Sequence, residues 1–113
     1  MLPQKNRITK KKEFEQVLGK GNKTSDQILI LKKIKNNLGY NRFGIIVSNR
    51  ISKKAVERNK IKRRIRNIIN KKQKEQTNGN DVVFIALPQI LNRKISEIEQ
   101  SINKHFKNNN LTV

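Results

Sequence analysis

The chain has no cysteine. Disulfides and thiolate metal sites are therefore excluded, and a reducing compartment is the natural setting. No apolar run approaches the roughly 20 residues of a membrane span. The opening MLPQKNRITKKK is basic, but no apolar stretch follows it, so it does not read as a secretory signal. The expected location is cytoplasmic, with no membrane partner. A Gly-rich phosphate loop is missing, as is any clustered carboxylate set for two-metal nuclease chemistry. The single histidine, His105, has no acid–base partner nearby in sequence and reads as a surface or packing residue. Asp81 follows Gly79-Asn80 and reads as a turn residue, not a metal ligand. No residue set looks catalytic or metal-binding. No internal repeat or linker divides the 113 residues. One domain over 1–113 is expected, with 1–8 and 108–113 flexible.

Acidic residues are also scarce. Eight Asp and Glu stand against 27 Lys and Arg, for a net charge of +19. Such a charge opposes compaction by self-repulsion, so it points to an anionic partner, nucleic acid before membrane. Its placement favours nucleic acid. Over 78–103, Arg93 and Lys94 are offset by Asp81, Glu97 and Glu99, whereas 50–74 reads RISKKAVERNKIKRRIRNIINKKQK with Glu57 as its one acid. Hydrophobic residues make up 34% of the chain, mostly branched aliphatics, which is too many for a disordered basic tail. A folded core is expected. At this length it is thin, since about 60–70% of the unfolded surface is buried.

The apolar pattern predicts a short helix over 11–18, with Phe14, Val17 and Leu18 on one face. Gly19 and Gly21 end it. A strand follows over 26–34, with Ile28 and Ile30 on one face and Leu29 and Leu31 on the other. A turn at Asn36, Asn37 and Gly39 leads to a strand over 42–48. Ser52 is placed as N-cap of a long helix, which 77–80 stops. The run DVVFIAL over 81–87 suits a strand buried on both faces. A last helix over 93–107 turns Ile95, Ile98, Ile102 and Phe106 to the core, and the NNNLTV tail frays. The economical arrangement is a sheet with helices on one side.

On a wheel of about 100° per residue, Ile61, Ile65, Ile68 and Ile69 share one arc of the long helix. Asn59, Lys62, Arg63 and Arg66 occupy the next arc, and Arg58 lies at the seam. Almost no acid stands at i±4 to neutralise these cations. Arg offers a planar fork for paired phosphate oxygens and Lys a point charge. Asn59 adds a donor and an acceptor suited to a 2′-hydroxyl or a base edge. Ala55 lets a phosphate or ribose approach the backbone. Three classes fit a basic helix of this kind: an RNA-binding subunit, a structural RNA-binding protein of ribosomal type, and a DNA-binding module. The last lacks a leucine heptad or a helix-turn-helix partner. A nuclease acting on its own is the least favoured reading.

Lys54, Ala55, Val56, Arg58, Asn59, Lys62, Arg63 and Arg66 match a KAVxRNxxKRxxR pattern. This pattern resembles the RNR signature of the bacterial ribonuclease P protein subunit. Asn6-Arg7-Ile8 with Lys12-Glu13-Phe14, and Arg42-Phe43-Gly44-Ile45-Ile46-Val47-Ser48, are similar to the family's flanking segments. The resemblance implies an α+β fold, an α–β sandwich of order αβββαβα. Its mixed sheet would have a left-handed βαβ crossover (ribosomal protein S5 domain 2-like) and a short extra strand near 22–25. It implies a non-catalytic subunit of an endoribonuclease holoenzyme that hydrolyses one phosphodiester of precursor tRNA to free the 5′ leader. The RNA subunit would carry the active site with Mg²⁺, and the protein would lower the Mg²⁺ requirement and broaden substrate use. The protein alone would be a monomer, heterodimeric with its RNA. Carried over by position, Lys53, Lys54, Arg58, Asn59, Lys62, Arg63 and Arg66 bind the catalytic RNA. Phe14, Leu18, Leu29, Leu31 and Ser48 form the leader cleft, where aromatic stacking tolerates any base. Leu18 and Leu31 depart from aromatics common in the family, and Asn49-Arg50 from a Lys-Lys pair.

Overall fold

Alternating and continuous apolar runs build four strands: β1 Asn22–Ser25, β2 Leu29–Lys35, β3 Arg42–Ile46 and β4 Asn80–Ala86. With α1 Lys11–Lys20, α2 Ala55–Lys72 and α3 Ile95–Asn108, the element order is αβββαβα. The computed structural model of the chain describes residues 3–72, 79–109 and 111. The sheet order is β1-β2-β4-β3. β1–β2 and β2–β4 are antiparallel, whereas β3–β4 is parallel and is joined through α2, as a parallel pair requires a crossover. The fold is therefore a mixed α+β sheet with helices packed on it, and the short polar β1 that the family resemblance implied is present.

β4 is apolar on both faces, and so it needs cover on both. Val82, Phe84 and Ala86 join Leu29, Leu31, Phe43, Ile45 and the apolar stripes of α2 and α3 in the main core. Val83 packs on the other face with Ile8 and Val17. The expectation of helices on one side is thus corrected: α2 and α3 cover one face, and α1 lies across the other. Three of the four phenylalanines are on the α2–α3 face, where Phe106 stacks between Phe43 and Phe84 at centroid distances of 5.8 and 6.2 Å.

The ends expected to be loose at 1–8 and 108–113 are fastened where they are described. The Ile8 amide donates to the Phe43 carbonyl (2.9 Å), and the buried Asn6 side chain donates to Asn41 O (2.7 Å). Leu111 is fully buried, and Asn109 donates to Thr24 Oγ1 (3.1 Å), tying the end of α3 to β1. The reason is burial: Ile8 and Leu111 each complete a hydrophobic cluster.

Other boundaries shift. α2 begins at Ala55. Ser52 lies before it, accepting from the Lys54 amide (3.1 Å) and donating to Glu57 (2.7 Å). Of the expected stop at 77–80, residues 77–78 lie outside the described residues. Ile95 opens α3 and is exposed, because its position falls before the stripe meets the sheet. Asp81 is a β4 residue, not a turn residue, and grips Arg42.

Candidate nucleic-acid interface

Four isoleucines, Ile61, Ile65, Ile68 and Ile69, hold α2 on the sheet and are buried. Each contributes roughly 1.5–3 kcal/mol. Like-charge neighbours such as Arg58–Lys62 and Lys62–Arg66 cost only about 0.2–0.5 kcal/mol each. Burial therefore wins, and the cations are presented on a rigid rod. Lys53, Lys54, Asn59, Arg63 and Arg66 are exposed, and Arg58 and Lys62 are half-buried. None of the ion pairs among the described residues involves a cation of α2. Glu57, the acid in its first turn, is taken by Ser52. Arg58 is aimed by a bond from Nη1 to Ser52 O (2.9 Å), and with Asn49, Arg50 and Lys53 it lines a recess of about 560 Å³. Asn59, Lys62, Arg63 and Arg66 line a second recess of about 340 Å³. Six of the seven sequence-predicted residues thus line one of these two recesses, and Lys54, exposed, lines neither.

The second site is a groove beside α1. Phe14 lies over Gly44, where an added Cβ would be 2.4 Å from the Phe14 ring. Phe14 and Leu18 are half-buried and pack, with Ile46 and Ile85, against the Ile8, Val17 and Val83 cluster. Leu29 and Leu31 do not belong to it. Both have zero exposure and face α2 and α3, because strand alternation sends Ile30, Lys32 and Ile34 to the α1 face instead. The floor is a row of half-buried isoleucines on three strands, Ile30, Ile85 and Ile46, paired across β2, β4 and β3. Sequence reasoning missed them. Charge in β2 gave no signal, since Lys32 lies on the Ile30 face while Lys33 and Lys35 lie on the Leu29 and Leu31 face. Ser48 is exposed past the end of β3, where its Oγ accepts from the Arg50 amide (3.3 Å).

Arg42 braces α1 over the sheet. It donates to Asp81 through Nε (2.8 Å) and Nη2 (2.6 Å), and to Glu13 of α1 through Nη1. The Asp81 carboxylate, aided by Glu13 and opposed by burial, holds the guanidinium firmly protonated. Glu13 titrates below its ordinary range: burial would raise it, but the Lys10 amide and Arg42 outweigh that.

His105 is buried, its Nδ1 lying 3.4 Å from Thr24 Oγ1 and its Nε2 3.4 Å from Asp26 Oδ2. It is a packing residue, as one of the two sequence readings had it, and it has partners in space that the sequence did not reveal. Among the described residues, no three His, Cys, Asp or Glu side chains are grouped to hold a metal, and no helix is long and apolar enough to cross a membrane.

A mixed α+β sheet with a cationic helix on one face and a partly open apolar row on the other has the combination of features found in nucleic-acid-binding proteins. A family model described as Ribonuclease P matches residues 2–110. The chain is 38% identical over 105 residues to a ribonuclease P protein component of Dehalococcoides mccartyi, covering 93% of this chain and 84% of that one. Identity to a ribonuclease P protein component of Syntrophomonas wolfei is 40% over 86 residues, covering 76% and 71%. The fold matches the solved structure of the Staphylococcus aureus RNase P protein with a TM-score of 0.86 and 27% identity, covering 96% and 98% of the two chains. The chain belongs to the ribonuclease P protein family, whose holoenzyme processes the 5′ end of tRNA.

Proposed function

We propose that this chain is the non-catalytic subunit of a cytoplasmic ribonuclease P holoenzyme, a monomer that pairs with one catalytic RNA. The α2 cation face docks on that RNA, and the groove beside α1 holds the single-stranded 5′ leader of precursor tRNA. The observation that carries this reading is the α2 face itself: a rod of Arg and Lys has no ion-pair partner among the described residues, and its Arg66 shares a recess with Phe14 and Gly44 at the β3 edge of the α1 face. Cations on α2 offset the repulsion between two polyanions, work that would otherwise fall to Mg²⁺, so less Mg²⁺ is needed. The described residues offer no ligand cluster for Mg²⁺, and the ion is assigned to RNA phosphates, with the active site in the RNA.

The test is cleavage of precursor tRNA by the cognate RNA at low Mg²⁺, with and without the protein, beside an Arg58→Ala/Arg63→Ala variant. Strong stimulation that the variant loses supports the reading. The variant's RNA affinity should also depend less steeply on salt, by about two in the log–log slope. An active RNA that the folded protein leaves unstimulated overturns the reading in favour of a structural RNA-binding role.

A further inference from the structure

β1 is short, polar and at the sheet edge, yet it places Lys23 directly opposite Lys32 of β2. Like charges so paired destabilise a sheet. Both side chains lie on the α1 face. Lys32 Nζ donates to Leu18 O of α1 (2.7 Å), and the intervening Thr24 points the other way, to Asn109. Lys20, exposed, closes α1 three residues before Lys23. None of these three lysines forms an ion pair among the described residues. The carbonyl uses one of the three donors of the Lys32 ammonium and leaves the others for an anion.

The cluster stands where the groove ends. The isoleucine row runs from Ile46 through Ile85 to Ile30 and continues to Ser25 of β1. Lys23 and Lys32 occupy the adjoining row at that same end. Its other end, at the β3 edge, lies on the side of the recess that Arg66 of α2 lines with Phe14 and Gly44. Resting on the leader reading above, we infer that Lys20, Lys23 and Lys32 bind phosphates of the leader farthest from the cleavage site, so that the strand crosses the sheet from β3 to β1 with its 5′ end at β1. Four strands about 4.8 Å apart span about 14 Å, or about four stacked nucleotides at about 3.4 Å each. The lysines therefore engage only leaders longer than this, and base identity there is immaterial because the contacts are to phosphate.

The experiment measures the affinity of the reconstituted holoenzyme for precursor tRNA with a two-nucleotide or an eight-nucleotide leader. The proteins are wild type, Lys20→Ala/Lys23→Ala and Lys20→Arg/Lys23→Arg. Both positions are exposed, and thermal melts check that folding is kept. The gain in affinity from lengthening the leader should shrink about tenfold in the alanine variant and persist in the arginine variant. Uncharged methylphosphonate linkages in the distal leader should remove the same gain from wild type and nothing further from the alanine variant. An alanine variant with an undiminished gain, or one weakened equally on both leaders, overturns the inference while leaving the groove as leader site. A wild-type holoenzyme indifferent to leader length overturns the leader reading and this inference with it.

Discussion

The two faces of the sheet are built from the same kinds of residue and finished differently. On one, α2 and α3 seal Leu29, Leu31, Val82 and Phe84 completely. On the other, α1 alone crosses the strands, and Ile30, Ile46 and Ile85 stay half-exposed beside it. One face is spent on stability. The other leaves apolar surface in contact with water, which a small domain has reason to do when a partner will cover it. The lesson is that the site is formed by withholding a helix, and no special residue had to be introduced.

The comparison is broken most directly in the sealed face. Phe84→Ala should cost about 3–5 kcal/mol in urea unfolding, a large share of the total for a domain of this size. Gly44→Val drives a side chain into the Phe14 ring, and overpacking of about 1–3 kcal/mol should appear together with a widened or displaced groove. Ile85→Ala in the open face should cost less, about 1 kcal/mol, and yet weaken leader-dependent binding. Equal costs for Ile85→Ala and Phe84→Ala would show that the faces are not different in kind.

The smallest effect is one of pH. Burial lowers the His105 pKa from 6.5, against the pull of Asp26. Asp26 is also lowered: burial would raise it, but the Ser101 hydroxyl, the Ile28 and Leu29 amides and His105 outweigh that. For both groups the folded state binds fewer protons than the unfolded chain. Stability is therefore present at neutral pH and declines as pH falls below 6.5, first through His105 and then, at lower pH, through Asp26. Chemical unfolding at pH 7 and pH 5 reads the first step, and His105→Gln should flatten it.

The elements with strong period were legible in the chain. The isoleucine stripe of α2, the apolar run of β4 and the stripe of α3 announce themselves, and so do the cations of the RNR pattern. β1 was not legible by periodicity, because a short polar edge strand has nothing to bury. Alternation separated Ile30 from Leu29 and Leu31 correctly, but Ile28, expected beside Ile30, precedes β2 and is buried with Leu29 and Leu31; which face meets which helix is a tertiary fact, so Leu29 and Leu31 were assigned to the groove and Ile30 was not. His105 and Asp26 are 79 positions apart in sequence and meet only when α3 docks on the β1–β2 turn. The ends looked loose because their polar composition hides Ile8 and Leu111, single apolar residues without a pattern.

The crossover through α2 bears on how the chain acquires its shape. β4 pairs with β3 from Arg42↔Asp81 to Ile46↔Ile85, and the segment between them carries α2 with its cations. Closing that loop brings α2 and its like charges onto the already basic sheet, so repulsion opposes the docking that strand hydrogen bonds reward. A polyanion held by the finished surface would relieve that repulsion and draw the equilibrium toward the native state.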